Sequence, residues 1–215
     1  MTKIAVILSG CGVSDGSEIH EATLTLLAIR KVGCDYSIFA PDREQADTVN
    51  HYTGAIMQEK RNVLAESARI ARGKVLPLSE LDPEKFIAIV FPGGFGVAKN
   101  LSDFAYRGEN YSVIPEIETI LLRAYKLKKP VGVMCISPIL PAKVFRGCKI
   151  TLGAVCDASK AVEKNGATHV VASHGETVVD EKYKIVSTPA YMLDASIEQI
   201  AESADNLVKE LLKLV

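Results

Sequence analysis

The chain has 215 residues, 24% of them charged and 48% hydrophobic, with a formal net charge of −1. That is ordinary globular composition, enough for one sizeable core and cramped for two. A near-neutral balance supplies no field to attract nucleic acid or an anionic membrane, and the apolar runs are too short to span a bilayer. Five cysteines, at 11, 34, 135, 148 and 156, are odd in number and lack paired CxxC spacing. They read as reduced thiols, not as a disulfide framework or a zinc site. Met1-Thr2-Lys3 leads straight into an apolar strand, so no signal peptide is read and a cytoplasmic protein is expected.

Residues 3–9 form an apolar, β-branched strand that opens on Gly10-Cys11-Gly12-Val13-Ser14-Asp15-Gly16-Ser17-Glu18. Ser17 is placed to cap a helix carrying Ile19, Ala22, Leu26 and Ile29 on one face and ending near Gly33. Gly10-x-Gly12 invites a dinucleotide fingerprint, but the third glycine position holds Asp15, and the match is weak. Residues 36–40 are the next strand, ended by Pro41-Asp42. Residues 43–61 are polar and show no clear element, only turn chemistry at His51-Tyr52-Thr53-Gly54. A helix over 62–72 stops at Gly73.

The run 86–91 is an all-apolar strand followed by Pro92-Gly93-Gly94-Phe95-Gly96, a glycine cluster that permits close backbone approach to a ligand. Residues 100–112 read as a loop whose aromatics, Phe104, Tyr106 and Tyr111, serve core or subunit contacts. The amphipathic stretch 113–128 presents Ile117, Ile120, Leu121, Ala124 and Leu127 on one side. Lys126, Lys128 and Lys129 read as a solvated helix end beside the negative pole of the dipole.

Residues 131–134 are a short apolar strand buried on both faces. It stops at Cys135, and 136–145 has the length and spacing of a helix, with Pro138 near its first turn, where a missing N–H costs nothing. Strand, abrupt turn and helix with a nucleophile at the corner make a nucleophile elbow. Helix N–H groups aimed at such a corner lower a thiol pKa and can hold an oxyanion. Beyond it come a strand over 149–152, a helix over 157–165 closed by Gly166, and a strand over 169–171. A hairpin of 177–179 with 184–186 follows, then a long final helix over 193–215.

Strands alternating with helices give a three-layer α/β sandwich: a mostly parallel sheet wrapped on both faces, with a small β-hairpin, in a single domain over 1–215. Ligand sites in such sheets lie at the carboxyl ends of the strands. The Glu18 loop, the Gly93-Gly94 loop and the Cys135 elbow all leave strand ends there. A nucleophile, a carboxyl group and backbone donors therefore converge on one crevice. Cys11 sits on a loop reaching the same crevice, with packing as its simpler role.

With these loops aligned, the chain resembles the DJ-1/PfpI superfamily, which shares the flavodoxin-like class I glutamine amidotransferase fold, and within it the ElbB/ES1-like branch. The resemblance spans essentially the whole chain. It rests on Gly10-Cys11-Gly12-Val13 with Asp15-Gly16-Ser17-Glu18, Phe39-Ala40-Pro41-Asp42, Pro92-Gly93-Gly94-Phe95-Gly96 with Ala98-Lys99-Asn100-Leu101, Met134-Cys135-Ile136, and Thr188-Pro189-Ala190-Tyr191-Met192. It implies Cys135 as catalytic nucleophile, hydrogen-bonded to the Glu18 carboxyl, with the backbone N–H groups of Gly94 and Ile136 as oxyanion donors.

The resemblance further implies a homodimer and a cofactor-free glyoxalase acting on a small reactive carbonyl, glyoxal or methylglyoxal, to give glycolate or lactate. The third catalytic seat, a histidine in parts of the superfamily, falls on Cys156 and Asp157, so Asp157 is a candidate polar partner. A glutaminase would need His-Pro-Glu before the final helix, where this chain has Thr188-Pro189-Ala190. His174-Gly175-Glu176 is a decoy placed too early. Four scattered histidines lack metal spacing, so neither metal nor cofactor is read. The rival readings are a redox sensor or chaperone that works by oxidation of Cys135, and an accessory protein of isoprenoid metabolism, suggested by the branch's name alone.

Overall fold

The computed structural model describes residues 2–215. Its strands are β1 (Lys3–Ile7), β2 (Asp35–Ala40), β3 (Thr48–Val49), β4 (Ile56–Met57), β5 (Val75–Pro77), β6 (Ala88–Phe91), β7 (Val131–Met134), β8 (Lys149–Ile150), β9 (Thr168–His169), β10 (Val178–Asp180) and β11 (Ile185–Thr188). The helices are α1 (Ile19–Lys31), α2 (Val63–Ala71), α3 (Phe95–Lys99), α4 (Phe104–Arg107), α5 (Pro115–Lys126), α6 (Ile139–Val144), α7 (Asp157–Lys164) and α8 (Ile197–Lys213).

Seven strands make one sheet in the order β10-β11-β7-β6-β1-β2-β5. Every pairing in it is parallel except β10 with β11, the hairpin read from the sequence. Side-chain alternation divides each strand between two cores. Ala5, Ile7, Ile89, Phe91, Val131 and Val133 face a cluster that α5 and α6 complete with Ile117, Leu121 and Leu140. Ile4, Val6, Val90, Met134 and Val186 face the other, closed by Ala22, Leu26 and Ile29 of α1 and Leu207 and Val208 of α8. This is the expected three-layer α/β sandwich. No helix among the described residues is long and apolar enough to cross a membrane.

Short or exposed elements are where sequence and structure part. The segment 43–61 contains the β3–β4 hairpin, which carries exposed Tyr52 and Ile56. β5 is an edge strand of three residues ending in Pro77, too short to show a period and free to lack a ladder donor. The stretch 100–112 holds the single turn α4. Within it Tyr111 is fully buried and donates its hydroxyl to the carbonyl of Ile139 at 2.6 Å, with the ring edge-on to Phe104. Tyr111 is thus a core residue.

The strand order places the site. From β1 the chain adds β2 and β5 on one side, then returns to lay β6, β7 and β11 on the other. The order therefore reverses between β1 and β6, and the loops leaving their carboxyl ends must part and open a crevice.

Candidate active site

β7 ends in a residue forced into the left-handed region: Cys135 has φ +60. For a residue with a Cβ this costs on the order of 1–3 kcal/mol, and the surroundings must hold it. They do so through hydrogen bonds on two sides. The Cys135 N–H donates to the carbonyl of Thr188 at 3.0 Å, and the Ser137 hydroxyl donates to the carbonyl of Pro92 at 2.8 Å. The elbow is thereby tied both to β11 and to the glycine loop after β6.

Gly93 lies against the side chains that matter. A Cβ there would fall 2.4 Å from the Cys135 Cβ, 2.4 Å from Glu21 Oε2 and 3.0 Å from the Cys135 sulfur. Gly94 has φ +104, and a Cβ on it would overlap the backbone of Gly16 and Glu18 at 2.3 Å. The two glycines are what allow the loops after β1 and β6 to close on the thiol. The Glu18 N–H donates to the Gly93 carbonyl at 2.9 Å, and the Gly96 N–H to the Gly16 carbonyl at 2.9 Å, which locks them together.

The carboxyl group brought to the thiol is that of Glu21, not Glu18. Glu18 is the N-cap of α1, its Oε2 accepting the Glu21 N–H at 2.7 Å, so its side chain is spent on closing the helix start. The sequence places the cap one residue earlier, at Ser17, whose hydroxyl instead accepts the Ser9 N–H at 2.9 Å. One turn on, Glu21 is fully buried on the inner face of α1 and interacts with the Cys135 thiol. Its Oε1 accepts the Tyr191 N–H at 3.1 Å, while its buried Oε2 has no conventional hydrogen-bond partner among the described residues. One oxygen is anchored and the other is free to carry a proton.

The electrostatics follow from burial. Removal from water pushes the Glu21 carboxyl up to about 8, the Glu18 carboxylate adds to this, and the Tyr191 N–H opposes it. Burial, then the charge of Glu21, push the Cys135 thiol well above its ordinary value. The N–H groups of Gly94 and Ile136 favour the thiolate, which puts both expected oxyanion donors against the sulfur. The elbow does not yield the low-pKa thiol expected of it, because Glu21 and the absence of water outweigh two N–H dipoles. Thiol and carboxyl form one coupled pair.

Other candidates lie elsewhere. Asp157 opens α7 with its side chain in solvent and pairs with Lys160 at 3.3 Å, while Cys156 takes the N-cap position. Cys11 is half-buried, and its thiol is raised by burial and by Glu66, with Arg69 opposing. Neither Asp157 nor Cys11 is among the main groups acting on Cys135. His20 binds the Tyr191 hydroxyl through Nδ1 at 2.9 Å on the rim. Thr188-Pro189-Ala190 does border the thiol, as a glutaminase's His-Pro-Glu would, with neither catalytic type present. Among the described residues, no three His, Cys, Asp or Glu side chains are grouped to hold a metal ion.

The resemblance points to the loop carboxylate Glu18, and a face phased on Ile19, which is 46% exposed, gives no reason to prefer Glu21. The buried stripe is Glu21, Thr25 and Ala28 beside Ala22, Leu26 and Ile29. A carboxylate four residues before Thr25 and seven before Ala28 on that stripe was the available signal.

No family model matches the chain. The rat ES1 protein homolog, mitochondrial, is 43% identical over 222 residues, covering 99% of this chain and 84% of the rat protein. The human glutamine amidotransferase-like class 1 domain-containing protein 3, mitochondrial, is 41% identical over 99% of this chain and 83% of its own length. A crystal structure of an isoprenoid biosynthesis protein with amidotransferase-like domain from Ehrlichia chaffeensis superposes with a TM-score of 0.91 at 34% identity, covering 99% of this chain and 100% of that one. Glyoxalase III from Candida albicans shares the fold at a TM-score of 0.62 and 17% identity, over 99% of this chain and 97% of that one. The curated relatives are named as mitochondrial, which overturns the expectation of a cytoplasmic protein drawn from reduced cysteines and the N-terminal strand. At 43% identity over nearly its whole length to a curated ES1 protein, the chain belongs to the ES1 family, and it shares its amidotransferase-like fold with a DJ-1 superfamily structure from Salmonella typhimurium.

Proposed function

We propose that the chain is a cofactor-independent glyoxalase, converting methylglyoxal to lactate or glyoxal to glycolate, with Cys135 as nucleophile and Glu21 as proton carrier. The observation that carries this reading is the free Oε2 of a buried Glu21 facing a thiol held on a strained elbow. From the state in which Glu21 is ionised, the Cys135 sulfur adds to the aldehyde carbon while Glu21 takes the thiol proton and delivers it to the new oxygen, which the Gly94 and Ile136 N–H groups hold, so that Glu21 is again a carboxylate. Glu21 then moves a proton from the aldehyde carbon to the neighbouring carbon through an enediol. The former aldehyde becomes a thioester and the ketone an alcohol, with no net oxidation. Water releases the hydroxy acid and restores the thiol.

The redox-sensor reading asks for an accessible, low-pKa thiol. Cys135 is 8% exposed and its thiol is pushed up, which favours chemistry on a bound carbonyl over sensing. An isoprenoid role rests on the name of the Ehrlichia relative. The test is lactate formation from methylglyoxal without glutathione, followed by NMR. Multiple turnovers that Cys135→Ser abolishes and Glu21→Gln slows by about 10²-fold or more are expected. Consumption of one equivalent per chain, or an unimpaired Cys135→Ser, would refute the proposal.

A further inference from the structure

β7 and β11 end at Cys135 and Thr188, but both begin at a second concavity on the opposite edge of the sheet. This cavity, of about 490 Å³, is lined by Tyr125, Lys126, Lys128, Lys182, Tyr183 and Lys184. Four of its six walls are lysines in a chain whose net charge is −1. Among the described residues none of the four forms an ion pair. Lys184 spends its ammonium on the carbonyl of Leu214, which leaves Lys126, Lys128 and Lys182 to the cavity. Asp180, whose charge acts on Lys182, has both carboxylate oxygens taken by backbone, the N–H groups of Lys149 and Tyr183 at 2.7 and 2.9 Å.

The floor is aromatic and braced from behind. Tyr125 and Tyr183 lie 5.5 Å apart, and each ring packs on buried Phe145, at 5.5 and 5.0 Å. Tyr125 remains 43% exposed toward the opening. Lys182 sits 4.6 Å above the Tyr183 ring, a cation held over the floor. Backbone conformation singles out the same walls. Lys128 and Lys184 both occupy the left-handed region, at φ +57 and +53, where glycine would sit without strain.

We infer that this cavity is a binding site for a nucleoside phosphate, the lysines taking the phosphate groups and the exposed face of Tyr125 stacking the base. Lysine is a point-charge phosphate binder, and an aromatic face accepts any base. A concave cavity of this size holds a small molecule, whereas an anionic membrane needs a flat or convex basic face. The site is separate from the thiol: β7, four residues long, sets the two roughly 13 Å apart at about 3.3 Å per residue.

The test is calorimetric titration of the full chain with ADP, with pyrophosphate and adenosine as partial ligands and phosphatidylserine vesicles as the rival surface. ADP should bind once per chain, more tightly than either partial ligand and more weakly as salt is raised. Lys126→Glu with Lys182→Glu should weaken it about tenfold or more, one tenfold step being about 1.4 kcal/mol. Both lysines are exposed and unpaired, so the melting temperature should hold; Lys182→Ala, a milder change, should weaken ADP in the same direction. No ADP binding, binding unchanged in both variants, pyrophosphate matching ADP, or vesicles outcompeting it would each overturn the assignment.

Discussion

Two regions at the same edge of the sheet, the loop after β1 and the corner after β7 with β6 between them, each bury a carboxyl group, and the two groups meet opposite fates. In the first, residues 9–17 after β1, the buried Asp15 and Asn100 have all their work inside the fold. Asp15 Oδ2 accepts the Val49 N–H at 2.7 Å. Asn100 Nδ2 donates to the carbonyls of Ser9 and Asp15 at 2.8 and 2.9 Å, and its Oδ1 accepts the Ala46 N–H at 2.9 Å. In the second, around Cys135, the buried Glu21 keeps one oxygen without a conventional partner beside a residue at φ +60. A satisfied buried network sets geometry; an unsatisfied group held beside strained backbone stores the capacity to react.

The comparison is sharpened most by exchanging the two glutamates. Glu21→Gln should cut the rate of lactate formation by about 10²- to 10⁴-fold, the usual worth of a general acid–base. Glu18→Gln keeps an N-capping oxygen and should leave the rate within about twofold. Equal losses would return the catalytic role to Glu18. Asn100→Ala breaks the satisfied side: two carbonyls and one N–H lose a buried partner, an expected cost on the order of 3 kcal/mol in urea unfolding. Its activity per folded molecule should persist, since Asn100 does not touch the thiol.

Gly93→Ala attacks the other side. Its Cβ cannot coexist with Glu21 Oε2 and the Cys135 Cβ at 2.4 Å, so the pair must separate. A loss of about 10²-fold in kcat with a smaller change in melting temperature is expected. A variant with wild-type kcat would show that contact between the pair is dispensable.

The smallest effect is in stability against pH. The folded chain holds a proton on Glu21 up to about 8, whereas the unfolded chain releases it near the ordinary 4.5. Between those values the folded state binds more protons, so the Glu21 contribution falls as pH rises and levels off above 8. Glu21→Gln escapes this. Its advantage over wild type in thermal unfolding should widen from pH 5 to pH 8, by on the order of 2 kcal/mol because the coupled thiol takes part of the charge. A pH-independent gap would mean that Glu21 is ionised throughout.

Most of this contrast could be read from the sequence at the level of loops, and little of it at the level of side chains. Apolar runs at 3–9, 86–91 and 131–134 show three central strands, and the Met134-Cys135-Ile136 corner shows the elbow. Glycines at 93 and 94 mark a close approach, because only a residue without Cβ fits there. Which carboxylate reaches the sulfur depends on helix phase, and a face that includes the exposed Ile19 leaves Glu21 off the buried side. At about 100° per residue, Ile19 and Glu21 point to nearly opposite sides of the helix. The edge strand β5 and hairpin β3–β4 were illegible for another reason: at three and two residues they carry no measurable period.

The most direct test of the Cys135–Glu21 pair is the thiolate absorbance of Cys135, taken as the difference between each protein and its Cys135→Ser counterpart across pH. Glu21 raises the thiol pKa by its charge and by its contact with the sulfur, and Glu18 is not among the main groups that act on it. Glu21→Gln should therefore move the Cys135 transition to lower pH, and Glu18→Gln should leave it in place. A transition that shifts in Glu18→Gln and stays fixed in Glu21→Gln would contradict the account.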